Sequence, residues 1–447
     1  MTNKKNGRIS MLMLWCLGVI VLVLAAGFAL AWHPAIEPVK QPSRESFDRR
    51  LVQRGARLSA AGGCATCHTS NEASPYAGGL ALATPFGTIY STNITPDPRT
   101  GIGTWSDQAF RRAMREGISR DGHHLYPAFP YNHYTHVTDD EIAALYAFMM
   151  TREPIEAPAR HNDLKFPLGF RPLVAGWNLL YLDKSPFRPD PSQSAEWNRG
   201  AYLVQSLGHC GACHSPRNAL GAEDKRQYLG GGEAEGWYVP ALNARSPSPL
   251  PWTVGQLSAY LRTGLAQDHA IAGGPMQGVV NSVSNADEKD VQAMAIYIKS
   301  LLGTPSPEQQ AKANSAVQRA ALGSLAAVRP TTPPTSKEEE SLMKLGAIVY
   351  EGACARCHDA GRQDSSGGAL PLPLAIAVYE PDSRNLVHII REGIYPPSGQ
   401  RGRWMPDFAG TLTDEQLITL VSYVRRYAAD ARPWADIAES IQKAKSP

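Results

Sequence analysis

The pattern of hydrophobic and polar positions repeats three times along the chain, and each repeat predicts the same order of helices. A short amphipathic segment that carries a glycine comes first, and a second helical pattern ends in Arg-x-Gly. An amphipathic helix closes each repeat, with a capping residue at its start and an aromatic residue ten positions later. In chain order, the glycines of the first segments are Gly55, Gly200 and Gly346, and the glycines of the Arg-x-Gly motifs are Gly117, Gly264 and Gly393. The capping residues are Thr138, Asp287 and Thr413, and the aromatic residues are Phe148, Tyr297 and Tyr423. We therefore predict three similar helical modules.

The N-terminal segment Ser10–Trp32 departs from this pattern, because its 23 residues carry no charge. A helix of that length spans about 34 Å, enough to cross the hydrocarbon core of a bilayer. Two lysines and an arginine precede it and place the N-terminus in the cytoplasm. We predict a cytoplasmic N-terminus and membrane anchor over residues 1–41, with a signal peptide cleaved near Ala29-Leu30-Ala31 as the alternative. Either segment places the rest of the chain outside the cytoplasm.

A chain of 447 residues is too long to fold around a single hydrophobic core, so about three domains are expected. We predict a first module over 42–160, a linker over 161–193, a second module over 194–303, a linker over 304–337, a third module over 338–432 and a C-terminal tail over 433–447. Prolines are frequent in 152–193 and predict an extended connection without a helix. The second linker has an Ala-rich stretch between prolines, which predicts a short helix within a mixed linker.

A Cys-x-x-Cys-His motif follows the glycine of every repeat. The three motifs are Cys64-Ala-Thr-Cys67-His68, Cys210-Gly-Ala-Cys213-His214 and Cys354-Ala-Arg-Cys357-His358. This is the attachment signature of c-type haem, in which both thiols bond the haem edge and the histidine binds iron. Zinc knuckles and redox dithiols share the Cys-x-x-Cys part, but three copies that each continue with His favour haem. Of the seven cysteines only Cys16 remains, so no pair is left for a structural disulfide.

Methionine is a common sixth ligand of c-type haem iron and raises the potential relative to a second histidine. Met276 lies 12 residues after Gly264, and Met405 lies 12 residues after Gly393. Each methionine is next to a proline, in a stiff loop suited to presenting its sulfur. We therefore predict Met276 and Met405 as axial ligands of the second and third haem, although a methionine elsewhere is more often a core residue.

The first repeat lacks this methionine, because the same count from Gly117 arrives at Phe129. Phenylalanine cannot bind iron. Histidines are frequent around it, at His123, His124, His133 and His136. We predict His133 as the sixth ligand of the first haem, since it follows Phe129 on the same loop, with His124 as the second choice. Such a ligand would lower the potential of this haem relative to the others. The alternative is that the histidines are solvated and the iron is five-coordinate.

The remaining sequence offers no substrate site. The formal charge of +3 is too small to indicate nucleic-acid binding. A nucleotide fingerprint, a P-loop and a nucleophile elbow are all missing from the sequence, and the carboxylates Asp139 and Asp140 belong to a helix cap. Haem iron with two strong protein ligands has no open position for chemistry, so the pattern predicts electron transfer. A self-contained haem enzyme or gas-ligand sensor, using an open first haem, is the alternative.

The three modules resemble the class I cytochrome c fold, in which the first and last helices cross where a glycine meets an aromatic residue. The resemblance implies an all-α fold of three such domains in tandem behind the transmembrane helix. The whole chain further resembles the triheme cytochrome c subunits of membrane-bound bacterial dehydrogenases. The segments that carry this likeness are Thr84–Asp97, Gly101–Trp105, Leu125–Tyr131, Trp197–Leu203, Gly208–Asn218 and Met405–Phe408.

This resemblance implies three covalently bound haem c groups and a place on the bacterial inner membrane with the haem domains in the periplasm. It further implies that electrons pass from a catalytic dehydrogenase subunit to ubiquinone or a terminal oxidase. The family's partners are molybdenum hydroxylases with an iron–sulfur subunit, or quinoprotein and flavoprotein dehydrogenases. Phe129, with the segments Phe166–Pro172 and Gly176–Leu180, resembles the molybdenum-hydroxylase branch, whose members act on aldehydes, nicotinate or isoquinoline.

Overall fold

The computed structural model describes residues 14–19, 21–22, 25, 27–29, 31–360, 369–396 and 404–445. These residues form two compact units. One unit contains the described residues within 1–55 and 67–187, and the other contains the described residues within 56–66 and 188–447. Both are built mainly from helices, and the second contains the second and third repeats.

The helices follow the order that the repeats predict. In the first repeat they are Arg49–Ala61, Cys64–His68, Asp107–Glu116, Tyr131–Tyr134 and Asp139–Met150. In the second they are Ala195–Gln205, Gly211–His214, Val254–Thr263, Pro275–Val283 and Glu288–Leu302. In the third they are Lys337–Ala353, Ala355–His358, Arg384–Glu392 and Asp414–Ala429, and the helix Ile437–Lys443 follows in the predicted C-terminal tail. Short 3₁₀ turns occur at Arg44–Ser46, Lys225–Gln227, Leu325–Ala327, Leu372–Leu374 and Ile376–Val378.

The first and last helices of each repeat cross at the predicted glycines. A side chain on Gly55 would collide with the carbonyl of Ala144 and with Phe148, and one on Gly200 with the carbonyl of Ala293 and with Tyr297. Gly346 meets the Thr419 carbonyl and Tyr423 in the same way. The glycines and the aromatic residues therefore do meet, and the missing side chain lets two helix backbones touch. This part of the prediction is confirmed.

Small antiparallel sheets add to the all-α architecture that the resemblance implies. Ala81–Thr84, Gly87–Tyr90 and Asp163–Leu164 form a three-stranded sheet. Gly232–Ala234 pairs with Trp237–Val239, and Leu265–Ala266 pairs with Ala270–Ile271. The strands are two to four residues long, so they shape loops and do not form a core layer.

The first linker contains a helix that its prolines did not predict. Leu173–Tyr181 is helical, and Pro172 stands directly before it. A proline at the start of a helix costs nothing, because the N–H groups there have no intrahelical partner. No further proline occurs until Pro186, which leaves room for the helix. The second linker contains the helix Pro307–Ala321, longer than the short helix expected there.

The predicted transmembrane helix is corrected by the structure. Within the part of the chain that the structure describes, no helix has both the length and the apolar character needed to cross a bilayer. A crossing takes about 20 consecutive apolar residues in one helix. In Ser10–Trp32 the longest uninterrupted described stretch is 14–19, and the rest of the anchor prediction lies partly outside the described residues. The transmembrane helix is therefore removed from the predicted fold.

The cap of the last helix offers a measurable test of local stability. The Thr413 hydroxyl accepts from the Gln416 backbone N–H at 3.2 Å, and the Gln416 side chain accepts from the Thr413 N–H at 2.9 Å. Thr413→Ala removes the first bond and is expected to lower the free energy of unfolding by about 1 kcal/mol. Chemical denaturation measures this. Thr411→Ala, at an exposed position two residues earlier, is the matched control, and equal losses in both variants would contradict the capping role.

Candidate haem sites

Each Cys-x-x-Cys-His motif folds into a single helical turn. The backbone N–H of His214 donates to the Cys210 carbonyl at 2.9 Å, and that of His358 donates to the Cys354 carbonyl at 3.0 Å. Cys64–His68 forms the corresponding turn in the first repeat. One turn of helix brings residues three and four apart to one side. The first cysteine, the second cysteine and the histidine of each motif therefore stand close enough to share one macrocycle.

The first two motif histidines are oriented by backbone carbonyls. His68 Nδ1 lies 2.6 Å from the Thr92 carbonyl oxygen, and His214 Nδ1 lies 2.6 Å from that of Pro240. A carbonyl can only accept, so Nδ1 carries the proton and Nε2 keeps its lone pair. Burial lowers the pKa of His68, and it lowers that of His214 to about 4. Both rings are therefore neutral near pH 7 and present Nε2 as a metal-binding atom.

The first cysteine of each motif is partly buried, whereas Cys213 and Cys357 are exposed. Burial raises the pKa of Cys64, and it raises that of Cys210 and Cys354 to about 12. All six motif cysteines are free of disulfides. A redox dithiol needs a lowered thiol pKa so that a thiolate forms near neutral pH. These surroundings do the opposite, which argues against the dithiol interpretation.

The residues predicted to hold the third haem line a single cavity. They are Cys354, Cys357, His358 and Met405. Much of the remaining wall is aliphatic, with Leu386, Ile390 and Leu420 among its members. Two backbone hydrogen bonds join Met405 to Ile394, at 2.7 and 2.9 Å, and fix the methionine backbone at the wall. Two thiols, a histidine and a thioether around one apolar space are the donor set that a c-type haem requires, so the residues fit this group.

Met276 lies at the start of the helix Pro275–Val283, where Pro275 is the first helical residue. Gly274, before the proline, has a φ of +51° and packs so closely on Trp237 that a side chain there would collide with the indole ring. Because the left-handed backbone and the crowding both demand glycine, this loop has little freedom. The methionine predicted to bind the second iron is therefore presented by a stiff turn.

The backbone places Phe129 at the position that Met276 has in the second repeat. The Leu125 N–H donates to the Gly117 carbonyl at 2.7 Å, and the Ala272 N–H donates to the Gly264 carbonyl at 2.7 Å. Phe129 lies four residues after Leu125, and Met276 lies four residues after Ala272. Phe129 contacts the rings of Tyr131 and Tyr134, with centroids 6.3 and 5.4 Å away. An aromatic cluster thus occupies the place of the methionine.

The four histidines near Phe129 differ in their surroundings. His133, on the helix Tyr131–Tyr134, and His124 are both buried. His124 Nε2 lies 3.1 Å from the Ala31 carbonyl oxygen, which leaves Nδ1 as its acceptor atom. His123 Nδ1 lies 2.5 Å from Asp121 Oδ1, and His136 Nδ1 lies 2.6 Å from the Ser185 carbonyl. The two buried rings are those predicted as first and second choice for the iron, and both stay predictions.

Comparisons with known proteins identify the family to which the chain belongs. The chain matches the Cytochrome c family over residues 52–153 and 198–302. Residues 341–424 match the family of subunit III of cbb3-type cytochrome c oxidase. The gluconate 2-dehydrogenase cytochrome c subunit of Pantoea cypripedii is 36% identical over 84% of this chain and 85% of its own length. The fructose dehydrogenase cytochrome subunit of Gluconobacter japonicus is 33% identical over 88% and 82%.

This chain belongs to the family of dehydrogenase cytochrome c subunits. As a cytochrome c it carries covalently bound haem, and as a dehydrogenase subunit it transfers electrons in a complex with a catalytic partner. One subunit of the nicotinate dehydrogenase of Pseudomonas putida is 42% identical over 97% of this chain, which spans 35% of that protein's length. The predicted family is confirmed, and this likeness agrees with the branch predicted from Phe129.

Sequence reasoning missed the groups that orient the haem histidines. The Thr92 and Pro240 carbonyls act through the backbone, and every residue has a carbonyl, so no residue type marks them. It also missed His269, which belongs to the second repeat and lines the cavity of the third. A contact between repeats leaves no trace in a pattern that describes each repeat alone.

Proposed function

We propose that this cytochrome subunit carries three haem c groups and passes electrons from a periplasmic dehydrogenase partner to ubiquinone or a terminal oxidase. The observation that carries the proposal is the cavity in which Cys354, Cys357, His358 and Met405 converge. The repeated motifs extend the same assignment to Cys64, Cys67 and His68, and to Cys210, Cys213, His214 and Met276. Bound haem supplies a reversible ferric–ferrous couple.

The chain's own residues prepare these sites for electron transfer. The Thr92 and Pro240 carbonyls hold the rings of His68 and His214 in the tautomer that presents Nε2. Met276 and Met405 would each offer a sulfur to the iron of a bound haem, and aliphatic side chains around Met405 make the third cavity apolar. Two strong ligands leave no position for a substrate, so the sites suit electron transfer.

The partner's chemistry is inferred from the relatives. The nicotinate dehydrogenase likeness favours a molybdenum hydroxylase with an iron–sulfur subunit, acting on a heteroaromatic acid, over a quinoprotein or flavoprotein partner. Periplasmic haem domains agree with the compartment in which bacteria attach c-type haem. Affinity purification with mass spectrometry would identify the partner.

The haem stoichiometry is the first test of this function. A pyridine haemochrome assay and intact mass of the mature chain are expected to give three covalent haems. Adding the partner's substrate to the purified complex should then reduce all three in a stopped-flow absorbance measurement. Fewer than three haems, or haems that stay oxidised while the partner turns over, would refute the proposal.

An open first haem is the second candidate function, and Phe129 is the observation that favours it. If neither His133 nor His124 binds the iron, the first haem is high-spin and can take an external ligand, as in a haem enzyme or a gas sensor. Low-temperature EPR of the ferric protein separates the two functions. Three low-spin signals favour the carrier, and a high-spin signal that is lost on adding cyanide favours the alternative.

A pair of histidine variants tests the sixth ligand of the first haem. His133→Ala is expected to convert one ferric haem from low to high spin, because the iron loses an imidazole, while His124→Ala keeps all three low-spin. EPR of both variants at equal haem content measures this. The reverse result would assign the iron to His124, and two unchanged spectra would exclude both histidines.

A further inference from the structure

His269 is a completely buried histidine that the proposed electron-transfer sites do not yet use. Its exposed fraction is 0%, and it belongs to the second repeat, on the loop between Gly264 and Met276. The ring nevertheless lines the cavity that contains Cys354, Cys357 and Met405. The same loop therefore borders the predicted ligand of the second haem at one end and the cavity of the third haem in its middle.

Packing fixes the position of the His269 ring. The ring stacks on Trp252, with centroids 3.9 Å apart and planes inclined by 11°. Its Nδ1 lies 3.0 Å from Ser248 Oγ. The backbone is held as well, because the Ile376 N–H donates to the His269 carbonyl at 2.9 Å across the boundary between the two repeats. Two side chains thus hold the ring, and one backbone hydrogen bond holds the chain that carries it.

The second ring nitrogen is left without a protein partner. His269 Nε2 is buried and has no hydrogen-bond partner among the residues that the structure describes. An unsatisfied buried polar atom is unfavourable because it has lost its hydrogen bonds to water, so a native structure usually provides a partner from a ligand or water. Burial lowers the pKa of this histidine to about 4, which makes the ring neutral near pH 7.

The neighbouring serine allows the ring to be a donor at Nε2. Ser248 Oγ donates to the Leu250 carbonyl at 2.8 Å and lies 3.0 Å from His269 Nδ1, and rotation of the hydroxyl turns its one proton toward Nδ1 instead. If it goes to Nδ1, the ring proton is on Nε2. The periphery of haem offers two carboxylates as acceptors, whereas the rest of the described cavity wall is largely aliphatic.

We propose that His269 of the second module donates a hydrogen bond from Nε2 to a carboxylate of the haem in the third module. His269 is thus a positioning residue that fixes this haem's orientation and joins two haem sites through one loop. The inference rests on the proposed function only in requiring haem at Cys354 and Cys357. A donor near the haem stabilises the ferrous state, so removing it lowers the potential.

Two substitutions separate the donor from the packing. His269→Phe keeps a ring that can stack on Trp252 but has no nitrogen, and His269→Gln keeps an N–H near the position of Nε2. Potentiometric titration of the full-length protein is expected to show one lowered potential in His269→Phe, and a potential close to wild type in His269→Gln. The affected haem should be the one that also responds to Met405→Leu.

The haem content of each variant is measured in parallel with its redox titration. If His269→Phe retains three haems with unchanged potentials, the proposed role of His269 is wrong but the proposed function stands. If the wild-type chain carries fewer than three haems, the proposed function itself is wrong. If His269→Phe does not retain its haems, Ser248→Ala decides the matter. Loss of the Nδ1 partner should lower the same potential by a smaller amount, and no shift would refute the proposal.

Discussion

Met405→Leu is expected to lower the midpoint potential of one haem by on the order of 0.1 V, while all three haems stay covalently attached. Axial ligands set haem potentials over a range of about 0.8 V, and a thioether favours the ferrous state. Leucine fills a similar volume but cannot bind iron, so the change removes the ligand and little of the packing. A redox titration followed by absorbance measures the shift, and Met276→Leu should give the corresponding result at a different haem.

Met343 provides the control for this experiment. It is buried on the helix Lys337–Ala353 of the same module, and the sequence does not predict it as a ligand. Met343→Leu should leave all three potentials unchanged. If Met405→Leu behaves like Met343→Leu, Met405 is only a wall residue of the cavity and the third iron has another ligand.

Gly200→Ala is expected to destabilise the second module by about 3 kcal/mol. A methyl group there would collide with the carbonyl oxygen of Ala293 on the crossing helix, and a helix backbone cannot move aside as a flexible side chain can. Overpacking of this kind costs typically 1–3 kcal/mol, and the upper end is expected where the obstacle is backbone. Denaturation of the haem-loaded protein, followed by circular dichroism, measures the loss.

A second helical glycine isolates the effect of crowding. Gly255, in Val254–Thr263, has no heavy atom within 4 Å of the position that a side chain would take. Gly255→Ala is expected to leave stability unchanged or raise it by up to about 1 kcal/mol, because alanine favours helix. Equal stability of the two alanine variants would show that the helices do not need the close approach at Gly200.

The helix crossings could be predicted from the sequence because the repeat provides the same information three times. Gly55, Gly200 and Gly346 fall into step with an aromatic residue in every copy, and the contact follows from the absence of a side chain. The same reasoning singled out Met405, because it follows the glycine of Arg-x-Gly at the same distance as Met276. In the structure Met405 lines the third cavity.

Features that occur once were harder to predict. The helix Leu173–Tyr181 was missed because prolines were counted as breakers, whereas Pro172 stands where a helix tolerates it. The transmembrane prediction relied on an uncharged apolar segment preceded by basic residues, and no described helix bears it out. His269 could not be found at all, because its role depends on how the second and third repeats pack, which no local pattern encodes.

The strands Leu265–Ala266 and Ala270–Ile271 have a consequence for how the molecule matures. Ala270 and Ile271 form part of the third cavity although they belong to the preceding repeat. The ribosome completes that repeat before Cys354 and Cys357 are made, yet the enzymes that attach haem must reach both thiols. The wall of the third cavity is therefore complete only once the earlier repeat has packed against the later one.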